Sequence, residues 1–535
     1  MIRVRIRSWR VMGFLKFQRF YSSMFILSAA CFSVQASAQA VSVVSSDDTV
    51  AGSSVSGDAS SATPDAPAPQ RGFLTRLGHA YLDDWTSSSS TAPAAPAPER
   101  RGTPAPLNSP PFPSADWPIG GTVVIGAPDY NTYPLMTAIN GAKSRIKTYG
   151  WFDIGYNAST SNQGKFANAP AAYDVIPNSI QLDQAALYFE RLPDTVQKDH
   201  FDWGFRLTSL YGLDYRYTTA YGVFSQQLLK NNNTYGYDPV MYYLDFYLPH
   251  IGQGTDIRVG RYISLPDIEA QLAPNNYTYS HSLLYTVDCY TQHGVNVTTK
   301  LSDHWTVQGG VSGGCEAAPW TKYAKLTGNA CAGYTWHTGG DNLYFCANSL
   351  NSAKYSYNNI SAYYLTYYHK FNATWHTDTE AWYQYERDVP NLCYGLNPCI
   401  SYGANANVGA NAGEITGPSL ITGANGAQCN PLATHCYAPD FAAVNYIEHE
   451  WNNHHTSLTI RNEFVNDLKG QRTGTATLYS EHMVGMNYWI GSTVTFRPEL
   501  RLDHSYDKPA FDAPTNGAPT KTTQLTFAGD LIWHF

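Results

Sequence analysis

An all-β fold, closed as an antiparallel transmembrane β-barrel of about 14 strands within a range of roughly 12 to 16, is what this sequence predicts, with a disordered N-terminal arm ahead of it. Three observations lead there. Segment after segment beyond residue 145 alternates apolar and polar residues with a period of two, the signature of a strand with two different faces. The connections between these segments alternate short and long. The final segment, QLTFAGDLIWHF, ends on an aromatic residue, Phe535, with no polar tail.

The front of the chain sets the environment. Residues 1–40 carry Arg3, Arg5, Arg7, Arg10, Lys16 and Arg19 and no acid, followed by the apolar run MFILSAACFSV and by Ala38-Gln39-Ala40. This is the pattern of a secretory signal peptide cleaved after Ala40, because an apolar run of about eleven residues falls well short of the ~20 that span a bilayer. Ser28 stands where a lipoprotein signal ahead of Cys31 wants a leucine-like residue, so lipidation is discounted. The whole chain has a net charge of −8, and losing six leader cations leaves −14. Such an acidic chain is a poor binder of nucleic acid or anionic lipid.

The eight remaining cysteines all lie between Cys289 and Cys436. An even number in an exported chain favours disulfides over thiol catalysis or zinc. Spacing suggests Cys331 with Cys346, Cys393 with Cys399, and Cys429 with Cys436, and leaves other connectivities open.

Residues 41–116 are rich in Ala, Pro, Ser and Thr, as in SSSSTAPAAPAPERRGTPAP, and cannot bury enough apolar surface to fold alone. Inside this arm GFLTRLGHAYLDDW places Phe73, Leu74, Leu77, Tyr81 and Trp85 roughly on one helical face. Whether that helix is incidental or docks a partner stays open. Residues 117–145 form an ordered-looking piece ahead of the first strand, a candidate plug for the barrel of 117–535.

The strands read as 146–156, 179–190, 203–211, 240–248, 255–263, 293–301, 304–311, 359–369, 373–386, 443–451, 455–464, 476–488, 491–503 and 522–535. In STVTFRPELRLD, Val494, Phe496, Leu500 and Leu502 share one face, while Thr495, Arg497, Glu499, Arg501 and Asp503 share the other. VMYYLDFYL sets Val240, Tyr242, Leu244 and Phe246 against Asp245. In the last strand Leu525, Phe527, Leu531, Trp533 and Phe535 oppose Gln524, Thr526, Asp530 and His534, with Ile532 the one misfit. Any one of these would suit a soluble sandwich. Tight turns such as KFN, NNH and LSD alternating with long connections, both barrel ends on the tight-turn side and every mature cysteine in a long connection together match an outer-membrane barrel. A closed barrel also leaves no backbone group unpaired in hydrocarbon.

The polar faces supply the candidate pore lining: Arg206, Asp245, Arg258, Lys300, Asp378, Glu380, Arg461, Glu463, Arg497, Glu499, Arg501, Asp503 and Asp530. Six are cations and seven anions, so rings of charge would set selectivity without a strong preference. Arg261 shares parity with Ile257 and Val259, which requires either a bulge at Gly260 or a position above the membrane. EHEWNNHH gathers Glu448, His449, Glu450, His454 and His455, but it is not H-E-x-x-H and straddles a tight turn, so no metal is assigned. DIEAQLAPNNYTYSHS offers Asp267, Glu269, Ser280 and His281 for a hydrolase at the outer rim. A folded loop narrowing the pore is the preferred reading.

Longer stretches carry a family likeness. YGWFDIGYNASTS from Tyr149, IQLDQAALYFERLPDTVQ from Ile180, HFDWGFRLTSLYGLDYRYTTA from His200, DIRVGRYISLPDIEAQLAPNNYTYSHSLLY from Asp256 and TQHGVNVTTKLSDHWTVQGGV from Thr291 resemble the putative β-barrel porin-2 family of Gram-negative outer-membrane proteins. The likeness covers roughly 117–320 and thins beyond. It implies a pore-forming barrel of undefined cargo. The terminal strand likewise resembles the signal read by the outer-membrane barrel assembly machinery, with Leu531, Trp533 and Phe535 as its residues.

The expectation is therefore an outer-membrane channel for passive diffusion of small polar solutes or ions, embedded in outer-membrane lipid, with no catalytic step, cofactor or metal. Its rivals are an adhesin or receptor using the cysteine-pinned external loops, and a barrel hydrolase. Oligomeric state is not legible.

Overall fold

The computed structural model describes residues 72–86, 125, 133–141 and 144–535, apart from 172, 264, 337–340, 373, 397–425, 452–455, 492 and 515–516. The signal peptide, most of the arm and Cys399 lie outside the described residues.

Sixteen antiparallel strands close into one barrel in simple up-and-down order, β16 pairing with β1. They are β1 (Lys147–Ser159), β2 (Ile180–Arg191), β3 (Asp202–Gly212), β4 (Gly236–Leu248), β5 (Thr255–Ile263), β6 (Thr291–Lys300), β7 (Trp305–Cys315), β8 (Thr327–Thr335), β9 (Asp341–Leu350), β10 (Ser361–Lys370), β11 (Trp375–Pro390), β12 (His435–Glu450), β13 (Thr456–Asp467), β14 (Thr477–Ile490), β15 (Val494–Ser505) and β16 (Thr523–His534). The short connections all lie at one end, together with the start of β1 and the close of β16. Among the described residues no helix is long and apolar enough to cross a membrane.

The count exceeds the expected 14 by one hairpin, β8–β9, inside what the sequence suggested was a single long connection after residue 311. The reason is physical. On TGNACAGYT the outward positions of β8 are Gly328, Ala330, Ala332 and Tyr334, too small for an apolar stripe to register. Consequently not every cysteine lies in a loop: Cys315, Cys331, Cys346 and Cys436 are strand residues. Cys331 and Cys346 sit directly opposite each other on β8 and β9, bridged with Cα atoms 4.0 Å apart. Cys429 bridges Cys436 as spacing suggested, while a Cys289–Cys315 bridge ties the connection after β5 to the end of β7. Cys393 is also disulfide-bonded.

The outward face is apolar, with Leu207, Phe464, Phe496, Leu500, Leu531 and Trp533 among its exposed side chains. Polar residues turn inward, so the core lies in the lumen. Val240 departs from its expected outward position and is buried, because a bulge between β3 and β4 at Thr208/Leu210 shifts the parity. Ile532 points inward and packs with Tyr133 and Met136. Arg261 faces inward too. Gly260, with φ of 143°, kinks β5 without disturbing its register with β4, and glycine alone holds such a conformation cheaply. Arg261 then meets Asp238 at 2.7 Å inside the wall rather than above the membrane.

Two helices precede the barrel at its short-turn end. Helix α1 (Phe73–Thr86) forms on the stretch of the arm whose spacing suggested a helix and docks on the barrel: the Tyr81 hydroxyl donates to the His534 carbonyl at 2.8 Å and the Trp85 indole to Thr493 Oγ1 at 2.7 Å. Helix α2 (Pro134–Ile139) packs on α1 and β1, with Met136 fully buried and Tyr133 stacked between Tyr149 and His534. Farther back, Ile125 lies against Gly254 in the β4–β5 turn.

Candidate functional site

The connection after β5, residues 264–290, turns into the barrel instead of projecting from it. It holds a single helical turn at Ala273–Asn275 and a short helix, Leu283–Thr286, capped by Ser282, which accepts from the Tyr285 amide. Asn276 staples the first half by bonding the Ala270 amide and the carbonyls of Ala270 and Leu272. At the far end Cys289 is bonded to Cys315 of β7. Between these anchors the loop would expose unpaired amides and carbonyls, which cost free energy wherever water is excluded.

The wall supplies the partners. Glu499 accepts from the amides of Tyr279 and Ser280, Glu463 from Leu283 at 2.6 Å and Leu284 at 2.9 Å, and Glu380 from Ile268 at 2.9 Å. Arg497 donates to the carbonyls of Ala273 and Asn276, Arg461 to Ser280 and Arg501 to His281. The arginines are themselves neutralised: Arg461 by Glu481 at 2.9 Å, Arg497 by Asp530 and Arg501 by Asp503 at 2.9 Å. Charge-assisted hydrogen bonds of this sort are the strong ones. Gly155 on β1 completes the seat, since a Cβ there would collide with the Asp183 carboxylate and the Tyr279 hydroxyl.

The residues singled out from sequence thus fall into four groups. Glu380, Arg461, Glu463, Arg497, Glu499, Arg501, Asp503 and Asp530 converge on the loop. Arg206 and Arg258 stand on the opposite wall, paired with Glu190 at 2.6 Å and Asp245 at 2.8 Å and flanking Tyr243. Lys300 lies apart at the short-turn rim beside Asp303, at 3.3 Å. Asp378 is half-buried and lines a small cleft with Glu269, Tyr277, Tyr446 and Glu448. The partners Glu190 and Glu481 and the loop anchors Trp382 and Gln384 were not singled out, and Glu448 was considered only as a metal ligand. Each sits on an alternating strand at inward parity, the one signal that could have found them.

The rim-hydrolase candidates are taken by the loop's own architecture. Ser280 Oγ accepts from Arg461 at 3.0 Å, His281 Nε2 donates to the Ala270 carbonyl at 2.7 Å, and Glu269 accepts from the Ser282 amide and the Tyr446 hydroxyl. Burial, with the nearby arginines, holds the His281 imidazole well below its usual range, so it is neutral. Serine and histidine do not meet as nucleophile and base. In EHEWNNHH, Glu448 faces the lumen and accepts from Thr459, His449 stacks on Trp375, and His454 and His455 lie outside the described residues.

A search of curated protein sequences finds no match. Among solved structures the chain is similar to an anion-selective porin from Comamonas acidovorans at 8% identity and a TM-score of 0.43, covering 73% of this chain and 99% of that one. The outer-membrane channel DcaP of Acinetobacter baumannii follows at 9% identity and 0.41, covering 73% and 97%. The outer membrane protein opdK from Pseudomonas aeruginosa gives 10% and 0.37, covering 73% and 99%. At these scores the likeness is descriptive. The family model for putative β-barrel porin-2, OmpL-like proteins matches residues 145–535, all sixteen strands and the inward loop, and the chain belongs to that outer-membrane porin family.

Proposed function

We propose that the protein is a passive channel for small polar solutes and cations, narrowed by the inward loop, with no chemical step. The observation that carries this reading is the water-sized space left beside the loop, the cleft where Glu269, Asp378 and Glu448 gather with no cation among its lining residues. Along the barrel interior buried Asp and Glu outnumber buried Lys and Arg by more than two to one among the described residues. The even balance suggested by the sequence gives way to an acidic one, and rings of carboxylates favour cations. The thirteen candidate lining residues divide accordingly: Asp378 lines the cleft, the other eight on β11–β16 hold the loop and define the constriction, Arg206, Asp245 and Arg258 form the facing wall, and Lys300 stands at the short-turn rim. Export with cleavage after Ala40, insertion by the assembly machinery through Leu531, Trp533 and Phe535, and a surrounding of outer-membrane lipid belong to the same proposal.

The test is conductance. Protein purified from outer membranes and placed in a planar bilayer under a KCl gradient should give stepwise currents with a reversal potential on the cation side. Asp378→Asn with Glu448→Gln should move that potential toward zero. Anion preference would refute the acidic-cleft assignment, and a silent bilayer would favour the adhesin.

A further inference from the structure

One group of acidic side chains gathers where the two ends of the loop meet the wall. Asp267 and Asp288, from the two ends of the inward loop, meet Glu380 of β11 so that an oxygen of each lies within 4.8 Å of the others. All three are buried, Asp288 at 1% and Glu380 at 0% exposure. Two further facts separate this group from an ordinary acidic patch. Neither carboxylate oxygen of Asp288 receives an amide, hydroxyl or guanidinium donor, its side-chain contact being the Asp267 carboxyl, and Glu380 Oε1 lacks a donor too, its other oxygen being the acceptor for the Ile268 amide. The Tyr285 hydroxyl, also 1% exposed, has no partner either and lies within electrostatic reach of Asp267 and Asp288. Arg472 does not answer the charge, because it is directed at the carbonyls of Val287 and Asp288 instead.

Three carboxylates this close cannot all ionise unless a positive charge stands among them, and a buried ion without a partner is strongly disfavoured. We propose that Asp267, Asp288 and Glu380 bind one divalent cation of the calcium class, which fastens both ends of the pore loop to β11. The donors are all oxygen, which suits a hard cation. Mono- and bidentate carboxylates can fill much of the shell that calcium requires, whereas magnesium keeps several waters, for which so closely buried a site has little room. The site is separate from the acidic cleft and does not depend on the channel conducting.

Binding is read directly. Full-length protein purified from outer membranes in detergent, stripped with chelator and verified as folded by its heat-modifiable mobility, is titrated with CaCl2 by calorimetry. Tb3+ luminescence excited through tyrosine provides a second readout. One equivalent of Ca2+ should bind, displace Tb3+ and raise the unfolding temperature, while Asp288→Asn and Glu380→Gln should each weaken binding at least about tenfold and Asp303→Asn should leave it unchanged. Absence of Ca2+ binding by the folded wild-type chain overturns the proposal. So does equal affinity in Asp288→Asn, which would place the ion elsewhere, or a higher unfolding temperature in Asp288→Asn without any calcium effect, which would mean carboxyls sharing a proton.

Discussion

Arg461 does three things at once inside this barrel: it neutralises Glu481, donates to the Ser280 carbonyl and reaches the hydroxyls of Ser280 and Thr278. Its side chain has no exposed surface. Removing one member of such a buried set strands the others, at about 3–5 kcal/mol. Arg461→Met should therefore lower the urea midpoint of the folded, heat-modifiable form by that equivalent, and adding Glu481→Met should recover part of the loss. Equal stability of the single and double variants would mean that Glu481 is satisfied without Arg461. Arg461 was legible as an inward charge because TSLTIRNEF alternates. Its true partners were not, since Ser280 lies 181 residues away and only closure of the barrel brings the loop across. Alternation tells which way a side chain points and nothing about what it meets there.

At the scale of elements, the strands with large outward residues were the readable ones. Leu500, 45% exposed on β15, stands between Phe496 and Leu502 on the lipid side. Leu500→Arg should cost about 2–4 kcal/mol near the bilayer midplane, measured as the shift in denaturant midpoint in lipid vesicles. A shift near zero would place that stretch of β15 at the interface. The β8–β9 hairpin escaped notice because β8 lacks that signal, although β9 turns Leu343 and Phe345 outward. Small residues on the lipid side of β8 give no periodic signal, and the Cys331–Cys346 bridge, a contact across the ladder, resembles a loop staple when only its spacing is known. The inward loop was anticipated as a narrowing element. Its route was not, because backbone groups with charged partners on β11, β13 and β15 leave no trace in local pattern.

For the molecule as a whole, the segment ahead of the barrel touches the short-turn mouth at separated points. Ile125 lies at the β4–β5 turn, while Tyr133 and Met136 pack beside β1 and β16. Ile125, Tyr133 and Met136 are all buried there. Removing residues 41–140 should raise single-channel conductance and leave the sign of ion selectivity unchanged, since the acidic cleft belongs to the barrel and its loop. Unaltered conductance would show that current passes beside the segment.

The same segment has a bearing on how the barrel is completed. Strands β1 and β16 come from opposite ends of the barrel sequence and meet along one seam, from Trp151 with His534 to Ser159 with Thr526. Helix α1 rests on His534 and Thr493 on one side of that seam, and Tyr133, beside α2, stacks on Tyr149 on the other. The pair therefore spans the seam, and the complete surface that it covers is made only where the first and last strands of the cylinder meet.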